Sequence, residues 1–225
     1  MSDQPPKVHK TTGETRLPGD PSVSEMIERI IRVDQAGEYG AKRIYEGQLV
    51  VLGKSPAGET IRQMAEQEAA HLRDFDAMVN ARRVRPTALQ PFWHIAGFAL
   101  GAGTALMGER AAMACTVAVE EAIDEHYAKQ AEYLGEDEKE LRDLIVAARE
   151  DEIEHRDTAL EAGAERAPLF EPMRQAIKSG TKLAIWLSER VYHRDLKVRV
   201  PSPNTESRAN FRVDSLAGRH GHSSV

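Results

Sequence analysis

The stretch Glu150–His155, EDEIEH, sets Glu152 and His155 three residues apart, and Glu66–His71, EQEAAH, repeats that spacing with Glu68 and His71. Residues three apart on a helix share a face, so each pair would present a carboxylate and an imidazole together. Eight His and 24 Glu in 225 residues give about one Glu-x-x-His by chance. The spacing alone therefore decides nothing, and the surrounding residues must. Around the first pair, Ile61, Met64, Glu68, His71, Phe75 and Met78 fall at three- and four-residue steps. Leu141, Ile145, Ala148, Glu152, His155 and Ala159 do the same around the second. Each series is one stripe of a 3.6-period helix with its polar pair in the middle. A carboxylate and an imidazole inside a core-facing stripe must be paired, protonated or bound to metal.

Two further stripes carry a central carboxylate. One runs Ile27, Ile31, Asp34, Glu38, Ala41, Tyr45 and Leu49; the other runs Met113, Val117, Glu120, Ile123 and Tyr127. Glu38 precedes Glu68 by 30 residues, and Glu120 precedes Glu152 by 32. The chain thus reads twice as Glu, then Glu-x-x-His, an internal repeat over two helix pairs. Four carboxylates and two imidazoles facing one another in a bundle describe a di-iron or di-manganese site. Carboxylates neutralise and bridge two cations, while a His at i+3 caps one of them. Zinc hydrolases favour more His or Cys around one metal and fit poorly.

Apolar spacing and breakers predict helices over about 22–52, 56–82, 91–133 (in two parts), 136–163 and 168–192, with no period-2 strand. Short loops between long helices imply an antiparallel all-α bundle. We expect a flexible segment at 1–21, the bundle at 22–193, and a mildly basic tail at 194–225 with six Lys or Arg against three Asp or Glu. That tail is either simply solvated or touches an anionic surface. The composition, 41% hydrophobic and 5% aromatic with net charge −6, gives no basic footprint for nucleic acid. A single cysteine, Cys115, rules out an internal disulfide and reads as a buried structural thiol. The N-terminus shows neither a secretory h-region nor an Arg-rich amphipathic leader.

Other polar positions are less determined. Asp34 and Asp151 each either orient a ligand His through its free ring nitrogen or serve at a surface or cap. His126 and Tyr127 either support the site or pack. Glu66, Glu121, Glu150 and Glu154 lie off the stripes and are assigned to solvent. Pro91–Met107 carries no formal charge and includes Phe92, Trp93, Ile95, Phe98, Leu100 and Leu106. At about 17 residues with three glycines it is marginal as a membrane span. It is either an interfacial helix or an ordinary buried one.

RVDQAGEYGA, EQEAAH, ACTVAVEEAIDEHY and EDEIEHRD, with AIWLSERV near the end, resemble the demethoxyubiquinone hydroxylases of ubiquinone biosynthesis, over roughly residues 24–192. The resemblance implies a ferritin-like bundle with two iron ions held by Glu38, Glu68, His71, Glu120, Glu152 and His155. By that likeness Glu68 and Glu152 bridge while Glu38 and Glu120 are terminal. It implies a monooxygenase that hydroxylates a polyprenylated methoxy-benzoquinol with O₂. No G-x-G-x-x-G occurs, so electrons come from NADH or a reductase, with NADH the donor the resemblance suggests. It further implies a peripheral position on the membrane, here the cytoplasmic face of a bacterial-type cell membrane, with self-association and an accessory lipid-binding partner. Residues 194–225 run past the family pattern. The alternative function is another ferritin-like di-iron oxidase or an iron-storage protein.

Overall fold

The computed structural model describes residues 19–192. These form six α-helices: α1 Val23–Leu52, α2 Gly58–Ala81, α3 Gln90–Leu106, α4 Glu109–Tyr133, α5 Lys139–Glu161 and α6 Phe170–Arg190. No strand occurs among the described residues. The expected segment 1–21, apart from Gly19–Pro21, and the expected tail 194–225 lie outside them. Ser22 opens α1 with a capping box: its Oγ accepts from the Glu25 backbone N–H at 3.1 Å, and its own N–H donates to Glu25 Oε2 at 2.7 Å. The long third stretch divides at Gly108, whose φ of 111° suits glycine and ends α3 before α4 begins.

The order of apolar clusters along the helices fixes their directions. One cluster holds Ile27 and Ile31 of α1, Phe75 and Met78 of α2, Ile123 and Tyr127 of α4, and Leu141 and Ile145 of α5. The other holds Tyr45 of α1, Ile61 and Met64 of α2, Met113 and Val117 of α4, and Ala159 of α5. α1 and α5 run from the first cluster to the second, and α2 and α4 run back. The bundle is antiparallel, as the loop lengths suggested. The stripes read from α2 and α5 coincide with their buried faces. Between the two clusters each of these four helices turns polar: Glu38, Glu68 and His71, Glu120, and Glu152 and His155 are all buried there.

Each half of the chain adds a third helix, with α3 packed on α1 and α6 on α4. α3 is therefore not a buried core helix. Only Gly101, Thr104 and Ala105 are buried, while Phe92, Ile95 and Leu106 are 60%, 70% and 76% exposed. Its contact with α1 is backbone to backbone. A Cβ on Gly101 would stand 1.9 Å from the Ile44 carbonyl oxygen, and one on Gly47 would stand 2.2 Å from that of Phe98. α6 is tied to α3 by the Trp93 indole N–H donating to Ser188 Oγ at 2.9 Å. Its C-terminal Val191 carbonyl accepts from the Ala88 N–H at 3.1 Å and the Thr87 hydroxyl at 2.9 Å. No described helix is long and apolar enough to cross a membrane.

Candidate metal centre

α1, α2, α4 and α5 bring six side chains to the polar layer. Glu38, Glu68, His71 and Glu152 offer one atom each within 4.8 Å of one another, and Glu68, Glu120, Glu152 and His155 form a second such group. Glu68 and Glu152 belong to both groups. Glu38 and Glu120 belong to one each.

The side chains face one another with no internal solution to their hydrogen bonding. Glu38 Oε2, both oxygens of Glu68, His71 Nδ1, Glu120 Oε2, both oxygens of Glu152 and His155 Nδ1 are buried and make no hydrogen bond. They nevertheless crowd together. His155 Nδ1 is 3.2 Å from Glu68 Oε1 and 3.4 Å from Glu152 Oε2. His71 Nδ1 is 3.5 Å from Glu38 Oε2 and 3.6 Å from Glu152 Oε1. Polar atoms buried without partners are destabilising, and this cluster has a donor set that could hold cations. Its electrostatics agree. Burial, with the Glu152 charge adding to it, pushes the Glu68 and Glu120 carboxyls well above the carboxylate range. Burial raises Glu38 as well. For Glu152 burial is outweighed by His155 and His71, which hold it down to about 2. His71 follows in the opposite direction: burial is outweighed by Glu152 and Glu38, and its imidazolium persists up to about 12. Protons here do the work of positive charge. Two divalent ions would replace them and leave all four carboxylates ionised.

The outer contacts hold these groups in place. The Tyr45 hydroxyl donates to Glu120 Oε1 at 2.7 Å, and the Tyr127 hydroxyl donates to Glu38 Oε1. Asp151 lies 2.8 Å from His71 Nε2 through its Oδ2, a contact placed to orient that ring. Asp34 touches neither buried His of the layer. It accepts from Gln130 Nε2 at 2.8 Å and lies 3.5 Å from His126 Nε2. His126 bonds Gln130 at 2.8 Å and does not reach the cluster, so His126 packs outside while Tyr127 supports Glu38. Glu121, assigned to solvent, is instead paired with Arg174 at 2.6 Å and Lys178 at 2.8 Å on α6. Glu66, Glu150 and Glu154 are exposed as expected. Three contacts were not read from the sequence. His155 Nε2 bonds Gln67 Oε1 at 2.9 Å, Gln130 bridges Asp34 and His126, and Tyr45 braces Glu120. Two of them had a signal. Gln67 precedes Glu68 as Asp151 precedes Glu152, and Tyr45 follows Glu38 by seven residues as Tyr127 follows Glu120. Cys115 is wholly buried, and burial pushes its thiol up to about 12.

An apolar cavity of about 410 Å³ is bounded by α1, α3, α4 and α6. Its α1 and α4 walls include Gly37 and Val119, the chain neighbours of Glu38 and Glu120, while none of the six polar side chains lines it. Trp93, Gly97, Ala184 and Ile185 form its sides between α3 and α6.

The family model described as ubiquinone biosynthesis protein COQ7 matches residues 25–188. This chain belongs to the COQ7 family. Its relatives within the range of that family include the 3-demethoxyubiquinol 3-hydroxylase of Rhodospirillum rubrum, 58% identical over 183 residues, covering 81% of this chain and 86% of that protein. The human NADPH-dependent 3-demethoxyubiquinone 3-hydroxylase, mitochondrial, is 50% identical over 169 residues, 73% of this chain and 78% of its own. The yeast 5-demethoxyubiquinone hydroxylase, mitochondrial, is 40% identical over 182 residues, with coverage of 73% and 78%. The COQ7 match spans α1 to α6 and so contains the whole polar layer.

Proposed function

We propose that this chain is a 3-demethoxyubiquinol 3-hydroxylase, a monooxygenase acting on the ring of a polyprenylated benzoquinol in ubiquinone biosynthesis. The observation that carries the reading is the set of eight unpartnered buried atoms on six side chains, in a bundle whose α1 and α4 also wall an apolar cavity. Glu38, Glu68, His71, Glu120, Glu152 and His155 would hold two iron ions, with Glu68 and Glu152 common to both. Iron bound there supplies O₂ activation and the redox chemistry that aromatic hydroxylation needs. Electrons come from NADH or a reductase.

The chain's own residues do the rest. Tyr45 and Tyr127 each hold one oxygen of an outer carboxylate, Glu120 and Glu38 respectively. Asp151 and Gln67 set the tautomer that turns Nδ1 of each imidazole inward. The cavity keeps water from the site and receives a flat ring between Gly37, Gly40 and the α3–α6 wall. A Cβ at Gly37 or Gly40 would meet nothing within 4 Å, so both positions leave open space for a ligand. Exposed Phe92, Ile95 and Leu106 of α3 and Leu183 and Trp186 of α6 flank the same two helices. We assign this face to a peripheral seat on the cell membrane, from which a polyprenyl tail lies along the apolar slot.

The test is quinone profiling of a deletion strain complemented by the wild type or by Glu152→Ala. Demethoxy-quinone should accumulate in the deletion and persist with Glu152→Ala. Full rescue by that variant, or no accumulation, would sink the hydroxylase reading. Metal analysis after reconstitution should give about two irons per chain; a value near zero removes the site.

A further inference from the structure

The supports of the polar layer are almost two-fold symmetric. Tyr45 of α1 donates to Glu120 of α4, and Tyr127 of α4 donates to Glu38 of α1. Each Glu-x-x-His is preceded by a polar residue that reaches the His of the other pair: Gln67 reaches His155 at 2.9 Å and Asp151 reaches His71 at 2.8 Å. Both contacts use Nε2, and both rings leave Nδ1 unpartnered toward the carboxylates. For Nδ1 to offer a lone pair to a cation, Nε2 must carry the ring proton. Asp151 Oδ2 and Gln67 Oε1 are then both acceptors. The symmetry breaks at this one point, where one half has a carboxylate and the other a neutral amide.

We propose that the two metal positions are inequivalent and fill in order, the one capped by His71 first and more tightly, because Asp151 backs His71 whereas Gln67 backs His155. This rests on the two-metal reading of the site. A carboxylate accepting the Nε2 proton shifts electron density toward Nδ1 and adds a negative charge behind the ring; an amide gives a weaker, uncharged hydrogen bond. Such outer partners alter metal affinity by roughly 10- to 100-fold. Asp151 and Gln67 are thus positioning residues that rank the two ions. The first ion sits among Glu38, Glu68, His71 and Glu152, and the second completes Glu68, Glu120, Glu152 and His155.

Calorimetric titration of the metal-free full chain with Mn(II) tests this, with the electron paramagnetic resonance of isolated Mn(II) followed in parallel. Repulsion between the two cations spaces the binding steps in every variant, so the diagnostic is the change in that spacing. Gln67→Glu makes both backing groups carboxylates and should narrow the gap about 10-fold by tightening the second step. Asp151→Asn makes both amides and should narrow it comparably by weakening the first. The double variant, Gln67→Glu with Asp151→Asn, keeps the net charge, restores one carboxylate and one amide, and should reopen the gap. A merely structural role would not give closure in both single variants and reopening in the double. The isolated-ion signal at one equivalent should fall in each single variant and return in the double. Equal movement of both steps, or a gap that stays closed in the double variant, overturns the ranking and leaves the two-metal site standing. No uptake of Mn(II) or Fe(II) by the wild type overturns the site itself and the ranking with it.

Discussion

α3 and α6 occupy matching places, each the third helix of its half and each a wall of the same cavity, yet they are held by different means. α3 lies on α1 through Gly47 and Gly101, where the backbones meet and no side chain can intervene. α6 adds to the apolar contacts of Phe170, Met173 and Ile177 with the core a row of ion pairs to α4: Arg174 and Lys178 to Glu121, and Lys178 and Lys182 to Glu125, at 2.6 to 2.8 Å. Close backbone packing has one geometry and a steep repulsive wall. Partly exposed ion pairs on long side chains tolerate displacement and weaken with salt. The α3 wall of the cavity is therefore the stiffer of the two.

Gly101→Val should break the stiffer wall outright. Its new Cβ would fall on the Ile44 carbonyl, and we expect a loss of about 3 kcal/mol or more in denaturant unfolding. A loss under about 1 kcal/mol would mean that α3 is as adjustable as α6. Gly40→Leu sharpens the contrast from inside the slot. It has open space and a better helix former, so the melting temperature should hold or rise. Filling the ring site should still cut hydroxylation on the order of 100-fold, with iron content unchanged. Glu121→Gln with Glu125→Gln removes the α4–α6 pairs and should cost only about 1 kcal/mol. High salt should mimic that loss in the wild type and have no such effect on the Gly101 contact. The smallest effect is on acidification. Lys178 and Lys182 hold Glu125 down from about 4.5 to about 2. A depressed carboxylate stabilises the fold above its ordinary value, and that contribution fades as pH falls from about 4.5 toward about 2. Amide exchange in α6 should quicken over that window before exchange in α3 does.

Much of this was legible from periodicity. The stripes of α2 and α5 had one buried face each, so a 3.6-residue count placed Glu68, His71, Glu152 and His155 in the interior. The direction of α3 was not legible. Its apolar residues said that it avoids water but not whether protein or another apolar phase covers it, and the glycines that press it on α1 act through the absence of side chains. Glu121 was misread because α4 is enclosed on several sides. A helix packed against α5, α1 and α6 has more than one inward face, whereas a single stripe assumes one. Gln67 escaped notice because a residue beside a stripe looks like solvent until the neighbouring helix is in place.

The division of the core into two apolar clusters by a polar layer has a consequence for how the molecule opens. An ordinary helix frays from its ends, where hydrogen bonds are fewest. Here the ends of α1, α2, α4 and α5 are clamped by hydrophobic packing, and the middle turns depend on whatever satisfies eight bare polar atoms. With no cation in the layer, the bundle should loosen at its waist first, with amides near Glu68 and Glu152 exchanging ahead of those near Phe75 and Ile145. The polar layer, rather than the helix ends, would then set where the bundle opens.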